Sequence, residues 1–437
     1  VDVDASSVGT ITDTYSDLNT IYNTSGISGL GNEAVTISDT QSATNVNTIL
    51  ANTTGIVTAT VTGATASSLN GSLGNATTGN DALTLNLTDT TLASVDDLIA
   101  LNAKTSVDVD ASSVGTITDT YSDLNTLYNT AGVSGLGNEA VTISGTEGAS
   151  NVDDILVATS GVVTATVSSA TANSLNTNLA NASSTDVLTI VTSGTTANAT
   201  DLTDLDGKTS LTVNASSVTT ISGSGAEVAA VASADVTTSA SYIATVTGTS
   251  SASDVNIVMG DTSGVVTATV SSATANSLNG SLGNADGSDA LTLVTTDTTL
   301  TSVDDLIALN AKTTVDVDAS SVGTITDTYS DLNTIYNTSG ISGLGNEAVT
   351  ISDTQSATNV NTILANTTGI VTATVTGATA SSLNGSLGNA TTGNDALTLN
   401  LTDTTLASVD DLIALNAKTS VDVDASSVGT ITDTYSD

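Results

Sequence analysis

The chain has 437 residues, with 4 Lys+Arg against 45 Asp+Glu and a formal charge of −41, and it contains no Arg, His, Cys, Pro, Phe or Trp. That balance excludes nucleic acid as a partner, since neutralising phosphates takes Lys and Arg, and it opposes binding to anionic membranes. Without histidine, and with four lysines, a Ser or Thr nucleophile lacks its usual activating base, so the chain is read as no enzyme.

Low complexity and acidity would suit disorder, yet the mean hydropathy is positive and the apolar residues are regularly spaced. A folded chain is therefore expected. Val, Ile, Leu and Ala supply the core, and they suit thin, regular layers. No apolar run is long enough to span a bilayer, so no membrane insertion is expected. No charged-then-apolar leader opens the sequence, and any leader would lie upstream.

In chain order, "VDVDAS" at Val1 alternates apolar and polar residues, the period-2 mark of a strand with one covered face. Val1, Val3 and Ala5 would face in, with Asp2 and Asp4 facing out. "ITDTYSDLNTIY" sets Ile11, Tyr15, Leu18 and Tyr22 at helical spacing. "AVTIS" is a strand with Val35 and Ile37 inward, and "SATNVNTILAN" a helix with Val46, Ile49 and Leu50 on its apolar face. The strand "IVTATV" turns Val57, Ala59 and Val61 inward. The next segment, "ATASSLNGSLGN", offers Leu69 and Leu73 alone, which predicts a short helix. "ALTLNL" turns Leu83, Leu85 and Leu87 inward. "LASVDDLIALNAK" places Leu92, Val95, Leu98 and Ile99 on one helical face, with Thr91 and Ser94 as N-cap candidates and Lys104 near the C-terminal end, where the dipole favours a cation.

This pattern then recurs. Residues 1–106, 107–210 and 211–314 are three variants of one repeat, 315–420 reproduces the first, and 421–437 starts a further one. The phrase "VDVDASSVGTITDTYSD" stands at Val1–Asp17, Val107–Asp123, Val315–Asp331 and Val421–Asp437, which is the expectation for a window on a longer tandem array. Four strands per repeat, alternating with helices and joined by right-handed crossovers, predict a repeat β/α solenoid of parallel stacked strands, similar in architecture to leucine-rich repeats and curved or superhelical. A right-handed parallel β-helix is the alternative. The third repeat departs most: "GAEVAAVASADVTTSASYIATVTG" replaces the tyrosine helix and moves its tyrosine to Tyr242.

Candidate sites are few. Asp2 and Asp4, copied at Asp108/Asp110, Asp316/Asp318 and Asp422/Asp424, sit two residues apart as oxygen ligands of Ca²⁺ could, but the third repeat has Thr212 and Asn214 there. "GLGNEAV" at Gly29–Val35 has a faint likeness to calcium-binding nonapeptides without their tandem pattern. The plainer reading is that these aspartates keep the sheet face soluble and discourage edge pairing. No metal ligand set is assigned and no cofactor is expected, Ca²⁺ being the one candidate. Asp96–Asp97 reads as a solvated helix start. "TAT" at Thr58–Thr60, Thr164–Thr166, Thr267–Thr269 and Thr372–Thr374 comes once per repeat rather than on every strand, and ordinary β-propensity accounts for it better than ice binding. Sequons at Asn23, Asn52, Asn70, Asn75 and Asn86 in the first repeat matter only if the source glycosylates its surface. Tyr15 and Tyr22 are read as core packing.

The phrases "SGISGLGNEAVTISDT" and "VTATVTGATASSLN" resemble the tandem repeats of giant acidic Ser/Thr-rich surface proteins of bacteria, especially marine cyanobacteria. The resemblance implies an extracellular or cell-surface structural role and carries no functional residues over. A fibre, sheath or surface layer is expected, self-associating end to end or in lateral bundles; an adhesin stalk with its binding domain elsewhere is the alternative.

Overall fold

The computed structural model describes residues 1–77, 79–391 and 393–434. They fall into two compact bodies: Val1–Ala197 with Asp201–Ser217 and Ala234–Thr238, and Asn198–Thr200 with Val218–Ser233 and Ser239–Asp437, whose last three residues lie outside the described ones. Both are built of repeated strand–helix modules with parallel sheets.

In the first body, the strands Thr10–Asp13, Ala34–Ile37, Val57–Thr60 and Ala82–Thr84 pair in that order. Asn86 carries the sheet on to Asp110, and Val109–Asp110 pairs with Val133–Ser134. A second sheet opens at Thr91–Leu92 and passes through Thr116–Asp119, Ala140–Glu147, Val163–Val167 and Val187–Thr189. A bridge from Val191 to Asn214 leads it to Val213–Ala215 and Val236–Thr238.

The second body repeats this plan. One sheet runs through Thr220–Gly223, Ile243–Ser250, Val266–Val270 and Ala290–Thr292. Val294 bridges it to Val317–Asp318, which pairs with Ile341–Ser342. The other runs from Thr299–Leu300 through Thr324–Asp327, Ala348–Ile351, Val371–Thr374 and Ala396–Thr398, and Asn400 meets Asp424.

The alternation places the core as expected: Val35, Ile37, Val57, Ala59, Val61, Leu83, Leu85 and Leu87 are all buried. Each large aliphatic among them stabilises by about 1.5–3 kcal/mol relative to exposure. Helices of 7 to 10 residues separate the strands, and Thr14, Ser42 and Thr65 cap three of them by accepting from the amide three residues on.

Several expectations are corrected. Among the described residues each full repeat holds seven strand segments, not four: 107–210 adds Thr116–Asp119, Val133–Ser134 and Thr196–Asn198 to the expected set. The phrase "VDVD" joins the sheet of the repeat before it to Val133–Ser134, because Asp110 N donates to Leu85 O, Leu87 N to Asp110 O and Val109–Asp110 pairs with Val133–Ser134. Val109 and Ala111 are buried there, while Val107 is exposed ahead of the strand. "ITDTYSDLNTIY" is a strand and a helix. Thr10–Asp13 is extended, Thr14 stops it as an N-cap, and the helix Tyr15–Asn23 buries Leu18, as its copy buries Leu124 and Leu127, rather than its tyrosines. In "LASVDDLIALNAK", Leu92 lies on a strand and the helix Asp96–Asn102 buries Leu98 and Leu101, not Ile99. Its cap position is Val95, with Ser94 Oγ accepting from Asp96 N at 3.2 Å and Thr91 in the strand.

Candidate functional site: contacts between successive modules

Many polar side chains bond the backbone of the preceding module. Asp39 Oδ1 accepts from Tyr15 N at 2.9 Å, Asp89 Oδ2 from Ala66 N at 2.7 Å, and Asp119 Oδ2 from Val95 N at 2.8 Å. Asp297, Asp327, Asp353 and Asp403 do the same for Ala275, Val303, Tyr329 and Ala380. In each case a carboxylate from the next module meets an orphan amide at the start of a helix, where the dipole also favours negative charge. The Tyr15 amide, with the Gln41 side chain, holds the Asp39 carboxyl below the usual carboxylate range against the penalty of burial.

The four lysines serve the opposite helix ends. Lys104 Nζ donates to Asn70 O at 3.0 Å and Leu73 O at 2.9 Å, at the C-terminus of the helix Ala66–Ser72. Lys208, Lys312 and Lys418 donate to Leu179, Leu282 and Leu387 carbonyls, each at 2.8 Å. The cation thus serves the helix before its own.

A buried threonine follows the second and fourth helices of a repeat and returns to the strand behind it. Thr53 Oγ1 donates to Glu33 O at 2.7 Å, and Thr105 Oγ1 donates to Leu83 O at 2.8 Å while accepting from Leu83 N at 3.0 Å. Thr159, Thr209, Thr262, Thr313, Thr367 and Thr419 repeat the contact. The glycine two residues after Thr53, Gly55, lies against Glu33 O so closely that a Cβ would overlap that oxygen. Both precede the strand read from Ile56, in a stretch to which the sequence reading gave no role.

The second aspartate of each outward pair is a turn former. Asp110 Oδ1 accepts from Ser112 N at 2.9 Å, as Asp4, Asp318 and Asp424 do from Ser6, Ser320 and Ser426. Asn214 Oδ1 makes the same bond to Ser216 N at 3.1 Å, which explains why the third repeat does without the carboxylate. The serine hydroxyl and amide hold the Asp4, Asp110, Asp318 and Asp424 carboxyls below their ordinary range. Among the described residues no three potential metal ligands converge. Asp97 of the Asp96–Asp97 pair accepts from Asn70 Nδ2 at 2.7 Å, between helices.

"GLGNEAV" holds a buried carboxylate, Glu33. Glu33 accepts from Gly31 N at 2.7 Å, Asn32 N at 3.1 Å and the Tyr22 hydroxyl. Burial penalises its charge, but the phenol and the amides outweigh that and keep the carboxyl below its usual range, while burial and the carboxylate together push the Tyr22 phenol far up. Glu139 with Tyr128 and Glu347 with Tyr336 are copies. In the third repeat Tyr242 stands where Glu33 does, fully buried, and its hydroxyl donates to Asp261 at 2.8 Å. The phenol–carboxylate pair survives although both partners have moved in the chain. Tyr22 is thus a hydrogen-bonding group as well as a packing one.

The threonine face is longer than the count of "TAT" motifs: the register aligns Thr12 with Thr36 and Thr36 with Thr58 before Ala82 breaks the row. The second row, Thr118, Thr142 and Thr164, ends at Val187. Of the sequons, Asn23, Asn52, Asn70 and Asn75 donate their amides to Asn19, Thr48, Asp97 and Asn47, and Asn86 is exposed at its bridge to Asp110. No helix among the described residues is long and apolar enough to cross a membrane. No protein-family model matches the chain, and no curated protein matches it.

Proposed function

We infer that the chain is a structural repeat region of a very long extracellular protein, a β/α solenoid that builds a fibre, sheath or surface layer. The carrying observation is the recurrence of one set of contacts at every repeat, seen in Lys104, Lys208, Lys312 and Lys418, each closing the helix of the module before it. Polar groups committed to the neighbouring module's backbone make a stack that lengthens by adding copies. The acidic composition and the resemblance to bacterial surface repeats support an extracellular setting, a non-enzymatic role and self-association as the mode of assembly. Lateral association at −41 charge requires salt or divalent cations to screen it. Negative-stain electron microscopy of native material, with and without EDTA, tests the reading. Long uniform fibres or sheets with a regular axial repeat are expected, and short separate rods ending in a globular head would overturn it.

A further inference from the structure

We propose that two copies of this chain pair side by side, with the outer faces of their sheets packed on each other; the inference rests on the assembly reading above and names the surface it uses.

In the sheet that opens at Thr91–Leu92, Ile117, Val141, Val163 and Leu188 turn inward and are buried. The outer face that alternates with them is built of threonine columns. Thr118, Thr142 and Thr164 stand in register, Thr166 lies beside Thr189, and Val162 joins them at 39% exposure. Thr116 Oγ1 donates to Thr91 Oγ1 at 2.9 Å, so this pair satisfies a hydroxyl within the face. Asp119 and Glu147, the acids on these strands, pair with the buried Ile143 and Val167 and so turn to the helix side, where they accept from Val95 N and Asn151 Nδ2. The outward positions are therefore uncharged.

The same face recurs on the other three long sheets, around Thr36 and Ile56, Thr245 and Val265, and Thr350 and Ile370. Its limits are set by the aspartate pairs. Asn86 bridges to Asp110, and Asp108 and Asp110 turn outward on either side of the buried Val109. Asp316 and Asp318 close the third face in the same way beyond Val294. In the third repeat Thr212 and Asn214 stand there instead, so the second face runs one strand further. Acids gather on the helices, as Asp96, Asp123, Asp153 and Asp154 do.

This partition of charge selects both the surface and the partner. Copies carrying 45 acids and 4 lysines repel each other, and they meet at least cost where neither side brings a charge. β-Branched side chains standing on two sheets interdigitate at a separation of about 10 Å. Four strands about 4.8 Å apart and roughly five residues long make each face about 300 Å². A stable interface takes about 800 Å² per partner, so one face is too small and several must act together. A second copy carries the same recurrence, and once one face is seated the others come into register. Both partners use the same face, and helices cover the opposite side of each sheet, so the contact is isologous and closes at two.

The test is sedimentation of the full 437-residue chain across protein concentration, in ~0.05 M and in ~1 M NaCl. Monomer in the first and a single monomer–dimer step in the second are expected. Ile56→Asp, Val162→Asp, Val265→Asp and Ile370→Asp together put one charge on each face and should raise the dissociation constant about a hundredfold or more. The same four charges at Ser68, Ser150, Ser277 and Ser382, exposed on helices, should leave it unchanged. The chain has no cysteine, so Thr142→Cys is a single reporter that works even where the fourfold variant fails to fold. Its maleimide labelling should slow about tenfold or more as the dimer forms, while that of Ser150→Cys should not. A chain that stays monomeric in ~1 M salt overturns the pairing, while the fibre reading still answers to imaging of native material. If that monomer shapes growing ice crystals, the face belongs to ordered water. A dimer that the four face charges leave intact, a Thr142→Cys that labels as fast in the dimer, or a ladder beyond the dimer also overturns it.

Discussion

Lys104 shows how little positive charge this chain spares for solvent. Its ammonium closes two carbonyls of another module's helix, so Lys104→Met should cost about 1–3 kcal/mol, read as a lower urea midpoint and faster amide exchange over residues 66–76. Tyr128→Phe removes a donor from the buried carboxylate of Glu139 and should cost about the same, 1–3 kcal/mol, in the same measurement. Asp110→Asn should lower the melting temperature less than Asp110→Ala, since Asn214 already makes that turn while the charged carboxylate adds a further contribution. At this scale the sequence showed residue types but not their partners. Lys104 stood correctly at a helix end, yet the helix it serves is some thirty residues back, and only the stacking register reveals that. The Tyr22–Glu33 pair was hidden for the same reason, with one partner read as packing and the other as part of a glycine-rich motif.

Among the elements, strict alternation made the strands around Val57 and Leu83 legible, and the helical spacing of Val46, Ile49 and Leu50 did so for Ala43–Leu50. The strands Ile27–Ser28 and Thr91–Leu92 are two residues long, shorter than any period can be read from, and pairing with a neighbour alone defines them. Thr10–Asp13 was absorbed into a helix because Ile11 falls four residues before Tyr15, a spacing that a cap at Thr14 interrupts. Glycines separate packing from propensity at this scale. Gly161→Ala would drive a Cβ into Glu139 O and should cost about 3 kcal/mol or more, as a fall in melting temperature. Gly71→Ala, in a helix with open space around it, should instead raise stability by up to about 1 kcal/mol.

For the molecule as a whole, titration sets the limits of stability. The carboxyls of Asp4, Glu33, Asp39, Asp110, Glu227, Asp286, Asp318 and Asp424 are held below their ordinary range, so the stability they contribute is present above about pH 4 and lost as pH falls through their folded values. Asp289, pushed up by burial, works in the opposite sense. The phenols of Tyr22, Tyr121, Tyr128, Tyr242 and Tyr336 are pushed up, so the unfolded chain loses those protons first and stability declines above about pH 10. Protonation also relieves repulsion among 45 acids, which opposes the acid loss in dilute buffer. Urea midpoints across pH should therefore show a plateau between the two limits, higher in ~1 M salt, with the acid fall steeper there because screening removes the compensating relief.

The aspartates that meet the first amides of several helices belong to the module after them: Asp39 to Tyr15, Asp89 to Ala66, Asp119 to Val95. Lysine and threonine contacts run the same way, from later residues to earlier backbone. A growing polypeptide therefore finishes each module only once the following one has left the ribosome. Its ordered front trails the point of synthesis by one module, and translation supplies the sequence of closure that a chain refolding from denaturant would have to find among near-identical repeats.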